Sequence, residues 1–409
     1  MTPDTTVGRR PAARSRERRE LGLTTLGLAA ITCSTCVFLD GSATASLALR
    51  AVGIALLVIA TTHRPTRTTT AGRWMPALAV GMALHLIVGT VLHGQWAAGL
   101  ISTASLVAVT WAAVRWTDGL DGAVVLTAVR RVFTTTVLLS LALGVFLPGE
   151  SLEQGRLRGL YENANTLGHA ALVLGAVSLL RPASRRQRLV ALAASSGALV
   201  WSASRTSTVA LLLVAAAVLV ARRSATSTLG LLAVGVVGLA VQHWAPALDG
   251  VLDNLLRDTD SRSGTTALAA DVLLRRPDVG LGVGNETGVH VSSPLVAVIH
   301  AGVPGLLGFV VMAVALLRAA ALAGHWSGWV LVLGLLVHST AESWLLSPTS
   351  PLLLTAFCVL QAVLGTSPPP ERTSSRPPAP PLLPPVPVPV PVPAPAPVPA
   401  PVDPPEDLP

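Results

Sequence analysis

A planar guanidinium binds phosphate through paired N–H donors, where an ammonium group offers only a point charge. The chain carries arginines that could serve in this way: Arg156, Arg158, Arg205, Arg257, Arg262, Arg275 and Arg276. Arg205 stands in Ser204-Arg205-Thr206-Ser207 at an expected helix start, where free backbone N–H groups also favour anions. The plainer reading of any one of them is a side chain snorkelling at a helix end or solvated in a loop. A second polar group fills Arg158-Gly159-Leu160-Tyr161-Glu162-Asn163-Ala164-Asn165-Thr166-Leu167-Gly168-His169. Asn163 or Asn165 would cap the helix that follows. The same amides, beside two arginines, also offer hydrogen bonds to sugar hydroxyls or phosphate oxygens. His338 and Glu342 lie four residues apart, on one face of an expected helix. Such a pair is either a base with its orienting carboxylate or a structural tie between helices. His85 and Arg50 are lone polar residues in early apolar runs and read as packing or snorkelling side chains.

Other motifs carry less. Cys33 and Cys36 form a C-x-x-C inside an apolar run, and read as small packing residues rather than redox or metal ligands. Gly280-Leu281-Gly282-Val283-Gly284 resembles a dinucleotide fingerprint only on the surface, since no strand precedes it and the full spacing is missing. No P-loop is present, no metal-ligand cluster is evident, and no cofactor is expected.

The elements that must position these residues are membrane helices. Only 12% of residues are charged, about half the usual share for a soluble domain, and mean hydropathy is +0.62. Apolar runs long enough to cross a hydrocarbon core recur throughout. Spans are expected at 21–39, 44–62, 74–92, 96–114, 131–147, 163–180, 188–203, 206–221, 225–244, 294–317, 327–346 and 350–366. They must be helical, because lipid satisfies no backbone polar group. The fold class is therefore all-α: a polytopic bundle of about twelve spans. The first run could also be a signal peptide with Ala43-Thr44-Ala45 as cleavage site, but its length favours a retained helix.

The net charge of +8 comes entirely from arginine on the basic side. Most arginines sit between apolar runs, a topology pattern rather than a nucleic-acid footprint. Arg9, Arg10, Arg14, Arg16, Arg18 and Arg19 precede the first span. Alternate connections carry Arg64, Arg67 and Arg73; Arg115, Arg130 and Arg131; Arg181, Arg185, Arg186 and Arg188; and Arg222 and Arg223. That side is expected to be cytoplasmic, with both termini inside a plasma membrane. The organisation is then a basic tail over 1–20, a bundle over 21–367 with a long outer loop at 245–293, and a tail over 368–409. The last is Pro-Val and Pro-Ala repeats, expected to be disordered polyproline II without a core. It is either a tolerated low-complexity end or a docking strip for cytoplasmic partners.

The run from Arg158 to Asn165 resembles the Arg-x-x-Gly-x-x-x-Asn-x-Asn motif of the O-antigen ligase and polymerase family of membrane glycosyltransferases. Ser204-Arg205-Thr206 is similar to that family's later Ser-Arg-[Ser/Thr] helix start. Arg262 and Pro277-Asp278-Val279-Gly280-Leu281-Gly282 resemble its long outer loop, and Gly302-Val303-Pro304-Gly305 its next span. The order and spacing agree over about 155–310. The first five spans match only in hydropathy, and the tail lies outside the likeness.

The resemblance implies transfer of a glycan from an undecaprenyl-diphosphate carrier to a glycan or lipid acceptor hydroxyl on the outer face. It implies no metal, and gives Arg156, Arg158, Arg205 and Arg262 to the donor diphosphate, with Asn163 and Asn165 as polar contacts. The family's acceptor-activating His-Asn pair falls at Val291-Ser292 here. His290, His300 and the His338–Glu342 pair stand as the alternatives for the base. The competing functions are a transporter or lipid flippase, and a noncatalytic membrane scaffold using the tail.

Overall fold

The computed structural model describes residues 11–39, 42–62, 75–97, 100, 104, 122–180, 184–222, 263–283, 293–323, 326–340, 342–346 and 351–364. The chain divides into two units, Met1–Ser367 and Pro368–Pro409. Everything below belongs to the first. The expected span 225–244, most of 96–114, the Pro-rich tail, Arg257, Arg262 and His290 lie outside the described residues.

The described chain is mostly helical. Its helices are α1 (Pro11–Cys33), α2 (Ala43–Thr61), α3 (Met75–Thr90), α4 (Gly122–Phe146), α5 (Ala164–Leu180) and α6 (Arg185–Ser202). After them come α7 (Arg205–Arg222), α8 (Ser263–Arg275), α9 (Ser293–Ala323), α10 (Trp326–Ser339) and α11 (Pro351–Leu364). Three segments are long and apolar enough to cross a membrane: Thr44–Thr61, Gly122–Phe146 and Ser293–Ala323. Val80–His93, Ala164–Leu180, Arg205–Val220 and Trp326–Ser339 are shorter apolar helices. Exposed leucines and valines on their outer faces, such as Leu212, Leu213, Leu307 and Val314, suit a lipid surrounding.

Two helix starts differ from expectation. α1 takes in Arg16, Arg18 and Arg19 rather than leaving them in a tail, and Arg16 pairs with Glu20 at 3.0 Å one turn on. α4 begins at Gly122 and carries Arg130 and Arg131 inside it. Arginine is a good helix former, so a charge that ends an apolar run need not end the helix. The C-x-x-C is also placed differently. α1 stops at Cys33, and Cys36 bridges Tyr161 in an isolated antiparallel pairing; both thiols are free.

Close packing depends on small residues where helices cross. A Cβ on Gly27 would lie 2.9 Å from the Gly53 carbonyl oxygen, and one on Gly81 would lie 2.5 Å from that of Gly308. These approaches join α1 to α2 and α3 to α9. Small residues at crossings let backbones meet where hydrophobic exclusion gives no drive between helices.

α9 is broken. Ala301 (φ −138°) and Gly302 (φ 61°, ψ −142°) leave the helical region, and Pro304 follows. In an unbroken helix Val303 N–H would donate to Ile299, but it donates instead to the Pro277 carbonyl at 2.6 Å. Pro304 has no N–H to offer the His300 carbonyl. Both freed carbonyls are taken up by the loop after α8: Leu281 N–H donates to Ile299 at 2.7 Å, and Gly282 N–H to His300 at 3.0 Å. Val283 N–H then donates to the Gly89 carbonyl at 2.7 Å, tying the loop to α3. The Pro-x-x-Gly-x-Gly segment thus replaces helix hydrogen bonds at the break. This accounts for the glycines on both sides of the break: a Cβ on Gly280 would lie 2.6 Å from Ala301 N, and one on Gly302 in α9 would collide with the Pro277 carbonyl.

Candidate functional site

α4 and α5 are joined by a compact segment. It holds a one-turn helix (Pro148–Ser151) and a two-residue hairpin, β1 (Leu152–Glu153) with β2 (Arg156–Leu157). Gln154 (φ 52°) and Gly155 (φ 77°) form the turn, as a two-residue loop with both central residues at positive φ requires. The chain then folds back into the bundle. Gly159 (φ 59°) presses on Ser140 so closely that a Cβ would collide with it. Leu160 N–H donates to Ser140 Oγ at 3.1 Å, and Val37 N–H donates to the Leu160 carbonyl at 2.8 Å. Tyr161 is buried, with its hydroxyl 2.9 Å from Thr136 Oγ1. Burial holds its phenol well above the usual tyrosine range.

This fold-back places the Asn pair. Asn163 Oδ1 accepts from Thr166 N at 2.8 Å and from Thr166 Oγ1 at 3.0 Å, so Asn163 caps α5. Asn165 has a different role. Its Oδ1 accepts from Arg156 Nη2 at 2.6 Å, while Arg156 Nε donates to the Ser202 carbonyl at 2.8 Å. Arg156 therefore ties the start of α5 to the end of α6. Arg158 Nε donates to the Glu150 carbonyl at 3.2 Å at the exposed edge.

α6 closes on Ala203 in the left-handed region (φ 49°), and α7 begins at once with Arg205, which is exposed. Ser204 is buried against Gly168, where any Cβ would collide with it. The first motif, Arg156 to His169, and the second, Ser202 to Ser207, therefore meet at one end of the bundle. Arg156, Arg158 and Arg205 all belong to that end. α9 starts there as well, because Ser293 donates to the Glu342 carbonyl through its N–H at 3.2 Å and through its Oγ.

Below this rim lies a buried polar cluster that no sequence spacing revealed. His169 of α5 and His338 of α10 face each other with their Nδ1 atoms 3.3 Å apart. Ser207 Oγ of α7 is 2.9 Å from His338 Nε2 and accepts from Ser204 Oγ at 2.9 Å. Trp344, on the 3₁₀ turn Ser343–Leu346, donates through Nε1 to His338 Nδ1 at 2.7 Å. Its ring also packs edge-on against His169, with centroids 4.7 Å apart. All five side chains are buried.

The expected His338–Glu342 pair falls at the end of α10. α10 ends at Ser339, and Glu342 N–H still donates to the His338 carbonyl at 3.1 Å, so an i, i+4 turn closes just past the helix end. The partners of His338 come from three other elements. His300 is buried at the break in α9, with its Nδ1 3.4 Å from His85 Nε2 of α3. His85 is thus half of a histidine pair, not a lone polar residue. His300 is seven residues along α9 from Ser293, or about 10 Å of helical rise, so it lies away from the arginine rim.

Among the described residues, no group of three or more His, Cys, Asp or Glu is placed to hold a metal ion. No protein-family model matches the chain, and no curated protein matches it.

Proposed function

We propose that this chain is a polytopic plasma-membrane protein of about twelve spans. We further propose that it transfers a glycan from an undecaprenyl-diphosphate donor to an acceptor hydroxyl on the outer face. The observation that carries this reading is the Arg156 bridge, which joins the Asn-bearing start of α5 to the end of α6, directly before α7. It gathers Arg158, Arg205 and the N–H-rich start of α7 at one end of the bundle. Guanidinium groups and helix-start N–H groups are the donors that a departing diphosphate needs. On this reading that end is extracytoplasmic, where no nucleotide supplies energy and the donor must arrive activated.

Arg158 and Arg205 are the clamp. Their bonds strengthen as negative charge grows on the leaving group, so they accelerate the reaction rather than only bind the donor. Arg156, engaged by Asn165 and Ser202, holds the frame in which they sit. The transporter reading loses support at the break in α9. Broken helices in transporters present bare half-helix ends to an ion, whereas here Leu281 and Gly282 cover the freed carbonyls.

The test is glycan transfer by the purified chain from a lipid-diphosphate donor. Arg205→Lys and Arg158→Ala should insert normally and lose about two to three orders of magnitude in rate. Near-wild-type transfer by both removes the clamp. A strict need for a divalent metal points to other chemistry.

A further inference from the structure

We propose that His169 is the general base of this transfer, with His338 as its positioning residue. The inference rests on the glycan-transfer reading and adds the residue that takes the acceptor's proton. It follows from counting protons around the buried cluster.

An indole N–H can only donate. Trp344 Nε1 points at His338 Nδ1 from 2.7 Å, so that nitrogen carries a lone pair. The neutral ring then has its proton on Nε2, which faces Ser207 Oγ at 2.9 Å. His338 is therefore a donor to Ser207, the reverse of a serine triad, in which the histidine accepts the hydroxyl proton. Both nitrogens of His338 are committed, and it is not a base in this arrangement.

His169 Nδ1 lies 3.3 Å from the same His338 Nδ1. The one lone pair of His338 Nδ1 is shared: Trp344 makes the short bond, and a proton on His169 Nδ1 completes a longer three-centre contact. This leaves a lone pair on His169 Nε2. That nitrogen is buried and has no hydrogen-bond partner among the described residues. A buried polar atom without a partner is costly, and it asks for a ligand. The geometry is that of an oriented base: Nδ1–H is held by an acceptor, and the buried Nε2 keeps an unused lone pair. Here a neutral imidazole, its tautomer fixed by Trp344, does what a carboxylate does in the serine triad. His93 is already bonded through Nε2 to the Val279 carbonyl, and His85 and His300 face one another at the break.

His169 is also in the right place. It lies five residues after Ala164, about 7.5 Å of rise below the start of α5. Asn163 and Asn165 stand above it, and Gly168 beside it leaves room for Ser204 and Ser207. In the proposed step the acceptor oxygen bonds to the sugar's anomeric carbon. The bond from that carbon to the diphosphate oxygen breaks, and its electron pair leaves with the diphosphate. The hydroxyl proton passes to His169 Nε2. The imidazolium forms as the diphosphate gains its charge, so the site's net charge is unchanged and no lone buried cation is created.

The experiment measures transfer and donor binding by the purified chain, and histidine tautomers by nitrogen-15 NMR in nanodiscs. His169→Gln should lower kcat 100-fold or more and leave binding of the lipid-diphosphate donor intact. His338→Phe should lower kcat in the same way. His338→Asn, whose oxygen can still accept from His169 Nδ1–H, should recover most of it. The NMR spectrum should show His169 bare at Nε2 and His338 protonated there, with the His338 preference lost in Trp344→Phe. A proton on His169 Nε2 overturns the inference, whatever the activity. Near-wild-type kcat in His169→Gln overturns it while leaving the transfer reading in place. Neither transfer nor donor binding by the wild-type chain removes both.

Discussion

Arg156 and Asn165 share a hydrogen bond of 2.6 Å, and the same guanidinium donates to the Ser202 carbonyl at 2.8 Å. One side chain thus fixes where α5 begins relative to where α6 ends. A frame residue and a ligand-binding residue respond differently to mutation, and this separates Arg156 from its neighbours.

Arg156→Ala should lower stability by about 2–3 kcal/mol, because two charge-assisted bonds go and Asn165 loses its donor. Arg158→Ala and Arg205→Ala, at exposed or edge positions, should stay within about 0.5 kcal/mol of wild type. Thermal unfolding in one detergent compares all three. An Arg156→Ala protein as stable as wild type would show that the bridge contributes nothing to the frame.

Tyr161 is the chain's one tyrosine, so phenolate absorbance near 295 nm reports it alone. Burial raises its pKa, and the hydrogen bond with Thr136 opposes this only in part. A raised folded pKa means that the neutral phenol's contribution is complete below the unfolded pKa of about 10 and is lost as pH rises through the folded value. The native protein should therefore show little phenolate at pH 10.5, and the band should appear on denaturation. It should also lose stability as pH climbs above about 10. A normal titration midpoint in the folded protein would mean that the Arg158–Tyr161 fold-back is open to water.

Sequence periodicity located most of the frame. α5, α7, α9 and α11 begin within a residue or so of the expected spans, because each apolar run is bounded by polar residues that also cap or start the helix. The early starts of α1 and α4 were hidden, since arginine marks a topology boundary but is at home in a helix. The Asn163 cap was visible as a cap. The bond between Asn165 and Arg156 was not, because it depends on a hairpin only two residues deep on each side. The His169–His338 pair joins residues 169 positions apart, and only the rotation of α5 and α10 about their axes brings them together. The His338–Glu342 spacing marked the i, i+4 turn that closes α10, but not the His169, Ser207 and Trp344 side chains gathered around His338.

Gly302 is a position where no other residue fits. Its φ of 61° with ψ of −142° lies in a region open essentially to glycine alone, and a Cβ would run into the Pro277 carbonyl. Gly302→Ala should cost about 2–4 kcal/mol, combining backbone strain with overpacking. The loop carrying Leu281 and Gly282 should be displaced with it, leaving the carbonyls of Ile299 and His300 bare. Hydrogen exchange at Leu281 and Gly282 should then rise well above wild type. Unchanged protection there would mean that the loop does not depend on the break.

Orientation is tested most directly by placing one thiol in the expected outer loop and one at the Arg185 end of α6. Ala270 of α8 and Gln187 in the first turn of α6 are both exposed. α6 runs from Arg185 to Ser202, about 27 Å of helix and close to the thickness of a hydrocarbon core. Its Ser202 end is at the arginine rim, and its Arg185 end carries Arg185, Arg186 and Arg188. The proposed topology puts that cluster in the cytoplasm and the rim outside. With Cys33, Cys36 and Cys358 replaced by serine, Ala270→Cys should react with a membrane-impermeant maleimide on intact cells. Gln187→Cys should react only after lysis. The reverse pattern would place Arg158 and Arg205 in the cytoplasm, away from any outward-facing lipid-linked glycan, and would sink the transfer reading along with the topology.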